Sequence, residues 1–221
     1  MQSTTPVRQD KDWFPASEWL KFHDAFLARK AAGPIDLLFI GDSITQGWAA
    51  EGKEIWDLEY APLHAANFGI GGDETQHVLW RILNGEIDNI SPRVVILKIG
   101  TNNIGNSGHT AEQTIAGITK VVETLKAKLP NSRILLLGVF PRDPKPGTEF
   151  RQAITTINHA IAKLADDTHI TFLDIGEHFL DADGRLPPEL MPDYLHLSPE
   201  GYQVWADEIR GSLRGLYNGD M

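Results

Sequence analysis

The chain has no cysteine among its 221 residues. That excludes disulfide staples, thiolate nucleophiles and thiolate metal sites, and leaves a reducing cytoplasm and an oxidising exterior equally open. Positive charge is scarce too: 20 Lys and Arg face 30 Asp and Glu, for a net charge of -10. No basic run of the kind that tracks a phosphate backbone occurs, so nucleic acid is not expected as a partner. Long apolar runs are also missing, since stretches such as Val94 to Leu97 and Ile134 to Leu137 are strand-length and bounded by turns. Neither a membrane span nor a signal h-region is expected, and the chain as given reads as soluble. The polar opening Gln2-Ser3-Thr4-Thr5-Pro6 fits an intact terminus and one left by a cleaved export signal equally well, so the compartment stays open.

No Pro/Gly/Ser-rich linker and no internal repeat divides the chain, and its length suffices for one substantial core. A single domain is expected over residues 15–216, with a polar N-terminal extension at 1–14 and a short tail at 217–221. Short β-rich apolar runs alternate with longer stretches of helical period, the pattern of a parallel sheet covered on both faces. Strands are predicted at Ile35 to Ile40, His64 to Phe68, Val94 to Ile99, Ile134 to Val139 and Ile170 to Leu173. Helices are predicted at Ala16 to Ala31, Glu74 to Leu83, Thr110 to Leu129, Glu149 to Leu164 and Pro199 to Leu213. Ser198-Pro199-Glu200 is a sound start for the last: a capping serine, a proline at the first position and an acid at the positive end. Together they predict an α/β chain, a flavodoxin-like three-layer α/β/α sandwich on a five-stranded parallel sheet of order 2-1-3-4-5. Ligand chemistry then belongs at the carboxyl ends of the strands.

Three glycine-bearing turns fall on that rim: Gly41-Asp42-Ser43 after the first strand, Gly69-Ile70-Gly71-Gly72-Asp73 after the second and Gly100-Thr101-Asn102-Asn103 after the third. Ser43 leaves a strand sharply, which lets its hydroxyl stand clear of the sheet. Asp193 precedes His196 by three positions in a turn bracketed by Pro192 and Pro199. A carboxylate so placed can hold the imidazole Nδ1–H and leave Nε2 facing a serine, the nucleophile, base and orienter of acyl transfer. The backbone N–H of Ser43, the backbone N–H of Gly72 and the Asn102 side-chain amide are candidate donors for the oxyanion. Taken singly, Gly-Asp-Ser also describes a helix cap, Asp-x-x-His a surface turn, and Gly-Gly a loop or phosphate nest. The surroundings of Ser43 are not Gly-x-Ser-x-Gly, which disfavours an α/β-hydrolase elbow.

Gly69-x-Gly71-Gly72 does not complete a dinucleotide fingerprint, because Glu occupies position 74, and no Walker A lysine pattern occurs, so no nucleotide cofactor is expected. No metal pattern forms among His23, His64, His77, His109, His159, His169 and His178, which read as structural or surface residues, with His77 assigned to the rim of the site. Glu51, Lys53, Arg81 and Arg142 read as solvated or ion-paired, Arg81 and Arg142 being the two within reach of a polar substrate. The six tryptophans read as core or rim packing before recognition, and Trp48, just past the Ser43 turn, is the one to test for substrate contact.

On these residues the chain resembles the SGNH (GDSL-type) hydrolase superfamily from about Ile35 to Leu213. Gly41-Asp42-Ser43-Ile44 matches the first family block with Ile for the usual Leu, Gly72 the glycine of the second, Asn102 the asparagine of the third, and Asp193-x-x-His196 the last. Within the superfamily, Asn67-Phe68-Gly69-Ile70-Gly71-Gly72-Asp73, His77-Val78-Leu79-Trp80-Arg81, Gly100-Thr101-Asn102-Asn103 and Asp193-Tyr194-Leu195-His196-Leu197 are most similar to catalytic subunits of intracellular platelet-activating-factor acetylhydrolases and their bacterial relatives. The resemblance implies a three-layer α/β/α fold, no metal or cofactor, and an esterase for short, acetyl-type acyl groups whose acyl pocket is crowded by Ile44, Thr101 and Leu195. It also brings a homodimer into view, and does not name the alcohol, which ranges from sugars to lipid. The rival expectations are a thioesterase or lysophospholipase with a longer acyl pocket, and a non-catalytic ligand-binding module on the same fold.

Overall fold

Alternating apolar runs and amphipathic helices assemble as the sequence pattern predicts. The computed structural model describes residues 2–166 and 168–219. Five strands, β1 (Leu37–Gly41), β2 (Ala65–Gly69), β3 (Val94–Lys98), β4 (Arg133–Leu137) and β5 (Ile170–Leu173), form one sheet of order β2-β1-β3-β4-β5. Every neighbouring pair is parallel, and the expected order and fold class both hold. The helices are α1 (Ala16–Ala31), α2 (Ser43–Gln46), α3 (Lys53–Ile55), α4 (Thr75–Leu83), α5 (Thr101–Gly105), α6 (Ala111–Lys128), α7 (Glu149–Ile161) and α8 (Pro199–Asn218).

Side chains on a strand alternate between faces, so one sheet supplies two cores. Leu38 and Ile40 of β1 join an apolar cluster with residues of α1, α4, α6 and α7. Leu37 and Phe39 join another with α8 and the segment 44–63. Phe39 lies at the centre of the second, its ring 5.0 Å from those of Trp56 and Tyr60 and 6.4 Å from that of Trp205. Burying each such aromatic side chain contributes roughly 1.5–3 kcal/mol, ample to fix α8 against the sheet.

The caps that start these helices also aim the rim. Ser198 accepts the Gly201 N–H at 3.1 Å with Pro199 behind it, so α8 begins just past the Asp193–His196 turn. Thr110 and Gln113 form a reciprocal capping box at 2.9 and 3.2 Å, which starts α6 beyond the third turn. Differences from expectation are confined to ends and short elements. β1 extends through Gly41 because its ladder continues to Gly69 and Lys98. His64 stands at φ 49°, a left-handed value that keeps it out of β2. The helix expected to stop at Leu213 runs on to Asn218, where Gly219 at φ 77° closes it, and the last two residues of the expected tail lie outside the described residues. The segment read as an N-terminal extension packs onto the molecule: Ser3 and Gln9 are buried, and Ser3 O accepts the Thr75 hydroxyl at 2.9 Å.

Candidate active site

β1 ends where only glycine fits, since a Cβ on Gly41 would stand 2.3 Å from the Lys98 carbonyl oxygen. Asp42 then caps α2 by accepting the Ile44 N–H at 3.0 Å, leaving Ser43 as the first residue of that helix. The Asp42 carboxylate is fully buried against the Lys98 ammonium, 3.3 Å from each of its oxygens. Burial pulls the Lys98 pKa down and the Asp42 carboxylate opposes that pull. Such a pair locks the Gly41–Ser43 turn in place, because removing one partner strands a buried charge at about 3–5 kcal/mol. Sequence reasoning missed it, although a lone lysine inside the apolar run Val94 to Ile99 was the signal.

The turn before α8 meets this one. Ser43 Oγ lies 2.9 Å from His196 Nε2, and His196 Nδ1 lies 2.6 Å from Asp193 Oδ2. Asp193 Oδ1 also accepts the backbone N–H groups of Leu195 and His196 at 3.0 and 2.7 Å. Partial burial pushes the Asp193 pKa up, but these hydrogen bonds outweigh it and hold the carboxyl below its usual range. An ionised Asp193 accepts the hydrogen bond of Nδ1–H, which leaves the Nε2 lone pair to face the serine hydroxyl.

The second glycine turn stands beside the serine: a methyl on Gly71 would lie 3.9 Å from Ser43 Cβ. Gly71 N–H donates to Gln46 Oε1 at 2.8 Å, and Gly72 adopts φ 75°. Asn102 Nδ2 donates to the Asp73 carbonyl at 3.0 Å, so the third turn is tied to the second and one amide hydrogen of Asn102 is left for a ligand. The Asp73 side chain is buried, accepts the Trp19 indole N–H at 2.7 Å and faces Arg81 Nε at 2.9 Å. Neither Asp73 Oδ2 nor Arg81 Nε is aligned for a hydrogen bond, so that contact is an ion pair without directional bonding. Burial raises the Asp73 pKa to about 7, with Arg81 and the indole pulling the other way.

Other candidates fall elsewhere. His77 does not line the rim: it is buried, and its Nδ1 accepts the Glu74 N–H at 3.0 Å in the cap of α4. Burial pushes its pKa down to about 3 against the pull of Glu74, so it is neutral. Arg81 is fully buried and bonds the carbonyls of Phe68 and Gly41 at 3.0 and 3.2 Å, fastening two strand ends from below. Trp48 is fully buried among Phe39, Tyr60, Tyr202 and Trp205, and belongs to the core. Arg142 stays near the site, donating to the Thr101 carbonyl at 3.2 Å and stacking over Phe150 at 4.3 Å. Tyr202, unremarked in the sequence, donates its hydroxyl to the Ile44 carbonyl at 2.7 Å and pins α2 to α8.

Ile44 and Thr101 are each only 1 % exposed and Leu195 is half-buried. A cavity of about 440 Å³ is lined by Ser43, Gly47, Glu51, Asp193, His196 and Tyr202 among others, and not by Ile44, Thr101 or Leu195. Among the described residues no group of three or more His, Asp or Glu is placed to hold a metal ion, and no helix is long and apolar enough to cross a membrane.

The chain is similar to known proteins. The chain is 42 % identical over 204 residues to platelet-activating factor acetylhydrolase IB subunit alpha1 of Homo sapiens, covering 92 % of this chain and 86 % of that protein. It is 40 % identical to the alpha2 subunit of Rattus norvegicus, with coverages of 83 % and 78 %. The structure of a GDSL-like lipase from Bacteroides thetaiotaomicron superposes with a TM-score of 0.72 at 23 % identity, over 87 % of this chain and 97 % of that one. Axe2, an acetylxylan esterase from Geobacillus stearothermophilus, gives 0.63 at 22 % identity, over 81 % and 93 %. At those identities the two structures establish a shared fold. The family model of GDSL-like lipases and acylhydrolases matches residues 39–204, from within β1 into α8, and the chain belongs to that family.

Proposed function

We propose that this protein is a serine esterase that removes acetyl groups from ester substrates through an acyl-enzyme. The observation that carries the reading is the unbroken row from Ser43 Oγ to His196 Nε2 at 2.9 Å and from His196 Nδ1 to Asp193 Oδ2 at 2.6 Å. In the proposed reaction Ser43 Oγ attacks the ester carbonyl carbon while His196 takes its proton, and Asp193 stabilises the imidazolium. The carbonyl oxygen becomes an oxyanion received by the N–H groups of Ser43 and Gly72 and by the Asn102 amide. Collapse of the intermediate breaks the bond to the alcohol, which leaves with the proton held by His196. Water, deprotonated by His196, then attacks the acetyl-serine, and acetate departs with Ser43 restored. His196 works as a base only when neutral.

The acetyl assignment follows the family resemblance, in which Ile44, Thr101 and Leu195 crowd the acyl pocket; Ile44 and Thr101 are both buried here. Both named kinds of relative, an acetylhydrolase and an acetylxylan esterase, carry acetyl in their names with different alcohols. The 440 Å³ cavity along Glu51 and Tyr202 gives the alcohol its side of the site. The test is an acyl-chain series of p-nitrophenyl esters with the Ser43→Ala variant beside the wild type. Acetate is expected to be preferred over octanoate, and Ser43→Ala to lose nearly all turnover. Preference for octanoate would make this a long-chain esterase or thioesterase, and equal turnover by Ser43→Ala would end the serine reading. Acetate release from acetylated sugars, acetylated xylan and short-chain phospholipids then identifies the alcohol.

A further inference from the structure

The turn Ile70-Gly71-Gly72-Asp73 is closed by the Asp73 N–H donating to the Ile70 carbonyl at 3.2 Å, and φ of 75° at Gly72 is that of the third residue of a type II turn. Types I and II differ by rotation of the central peptide, here the unit that joins the Gly71 carbonyl to the Gly72 N–H. That unit is planar and trans, so its carbonyl and its N–H point in opposite directions. With glycine at both central positions, no side chain favours one orientation, and the bare turn accepts either. A contact from outside must choose.

Gln9 makes that contact. It is fully buried, and its Nε2 donates to the Gly71 carbonyl at 3.0 Å across 62 positions of sequence. The peptides on either side are held separately: Gln46 Oε1 takes the Gly71 N–H at 2.8 Å, and Lys11 Nζ donates to the Gly72 carbonyl at 2.8 Å. The Gly72 N–H itself has no partner among the described residues. Gln9 Oε1 is likewise buried and unpartnered, so the amide makes its bond through the donor half alone. An unmet buried acceptor costs about 1–3 kcal/mol, which a residue kept only for packing would avoid.

We infer that Gln9 is a positioning residue of the esterase site: by fixing the Gly71 carbonyl it turns the Gly72 N–H toward the oxyanion and strengthens it as a donor through the shared peptide. The inference rests on the Ser43 esterase reading and extends the site to the N-terminal segment. Gln9→Met keeps length and bulk and removes the donor; Gln9→Glu keeps the shape and sets a carboxylate against the carbonyl, and serves should the methionine variant not fold. With p-nitrophenyl acetate the expected result for either folded variant is a kcat lower by about tenfold to a hundredfold. KM and the shape of the pH profile stay unchanged, and affinity for a trifluoromethyl ketone, which forms an oxyanion on Ser43, falls in step with kcat. A folded variant with wild-type kcat, or one whose KM rises while kcat holds, overturns the inference and leaves the esterase reading intact. Absence of Ser43-dependent turnover in the wild type overturns the esterase reading itself and the inference with it.

Discussion

Asp193 and His196 sit three positions apart on an exposed turn and bond directly to each other, whereas the Gly71-Gly72 turn is gripped by Gln46 and Gln9, 25 and 62 positions away. The first region is a local module whose geometry comes from one loop and the start of one helix. The second is buried and depends on segments distant in sequence meeting, with Trp19 of α1 and Asn102 of α5 both bonded to Asp73. Damage should therefore differ in kind: chemistry without stability in the first region, chemistry and stability together in the second.

The largest effect is expected from Asp193→Asn, which keeps an acceptor for the two backbone N–H groups and loses the charge that fixes the His196 tautomer. A kcat lower by about 10⁴-fold with an unchanged unfolding midpoint is predicted, and a loss below about tenfold would break the local half of the comparison. Gly72→Ala comes next. Its Cβ would stand 2.8 Å from Gln9 Oε1 and 2.5 Å from Trp13 Cη2, at a φ of 75° that alanine resists. A kcat loss of about 10²- to 10³-fold accompanied by a lower melting temperature is expected. Activity loss without destabilisation would deny the buried character of this turn.

The smallest and most specific effect concerns pH. Asp73 has a folded pKa of about 7 against a reference of 3.8. Below about pH 4 both folded and unfolded chains hold the proton; between about 4 and 7 only the folded chain holds it, so its contribution is lost as pH rises and then levels off. Urea unfolding of wild type and Asp73→Asn across that range should show a stability difference that changes with pH, wild type losing ground to the variant as pH rises. His77, pushed down to about 3, contributes in the opposite sense, losing stability as pH falls, and it lies 3.9 Å from Asp73, so the double variant with His77 replaced separates the two contributions. A difference that is flat with pH would contradict the assignment.

Legibility in the sequence follows the same division. Apolar runs at strand length separated by amphipathic stretches specify a parallel sheet, because period and crossover length are local properties, whereas its order, which no local property fixes, comes from analogy with flavodoxin-like folds. Ser43, Asp193 and His196 stand out as candidates through the convergence of turns on one rim and the match to the family blocks, each turn having an ordinary structural reading by itself. Gln9 and Lys11 do not: they act on backbone carbonyls of the second turn, and a polar segment that bonds to distant main chain has no periodicity. Arg81 and His77 look like site residues by their neighbours in sequence, yet their burial beneath the rim is set by packing of α4. The segment Lys53 to Leu63 changes helical type from turn to turn while its aromatics pack on Phe39, so no single period announces it.

The central claim is that Ser43 carries the acyl group. Acid-quenching the wild type during turnover of p-nitrophenyl acetate and mapping its peptides by mass spectrometry tests this directly. An acetyl increment on the peptide containing Ser43, absent from Ser43→Ala, is the predicted result. Steady turnover with no acetylated Ser43 peptide in the burst phase, or the increment on another residue, would contradict it.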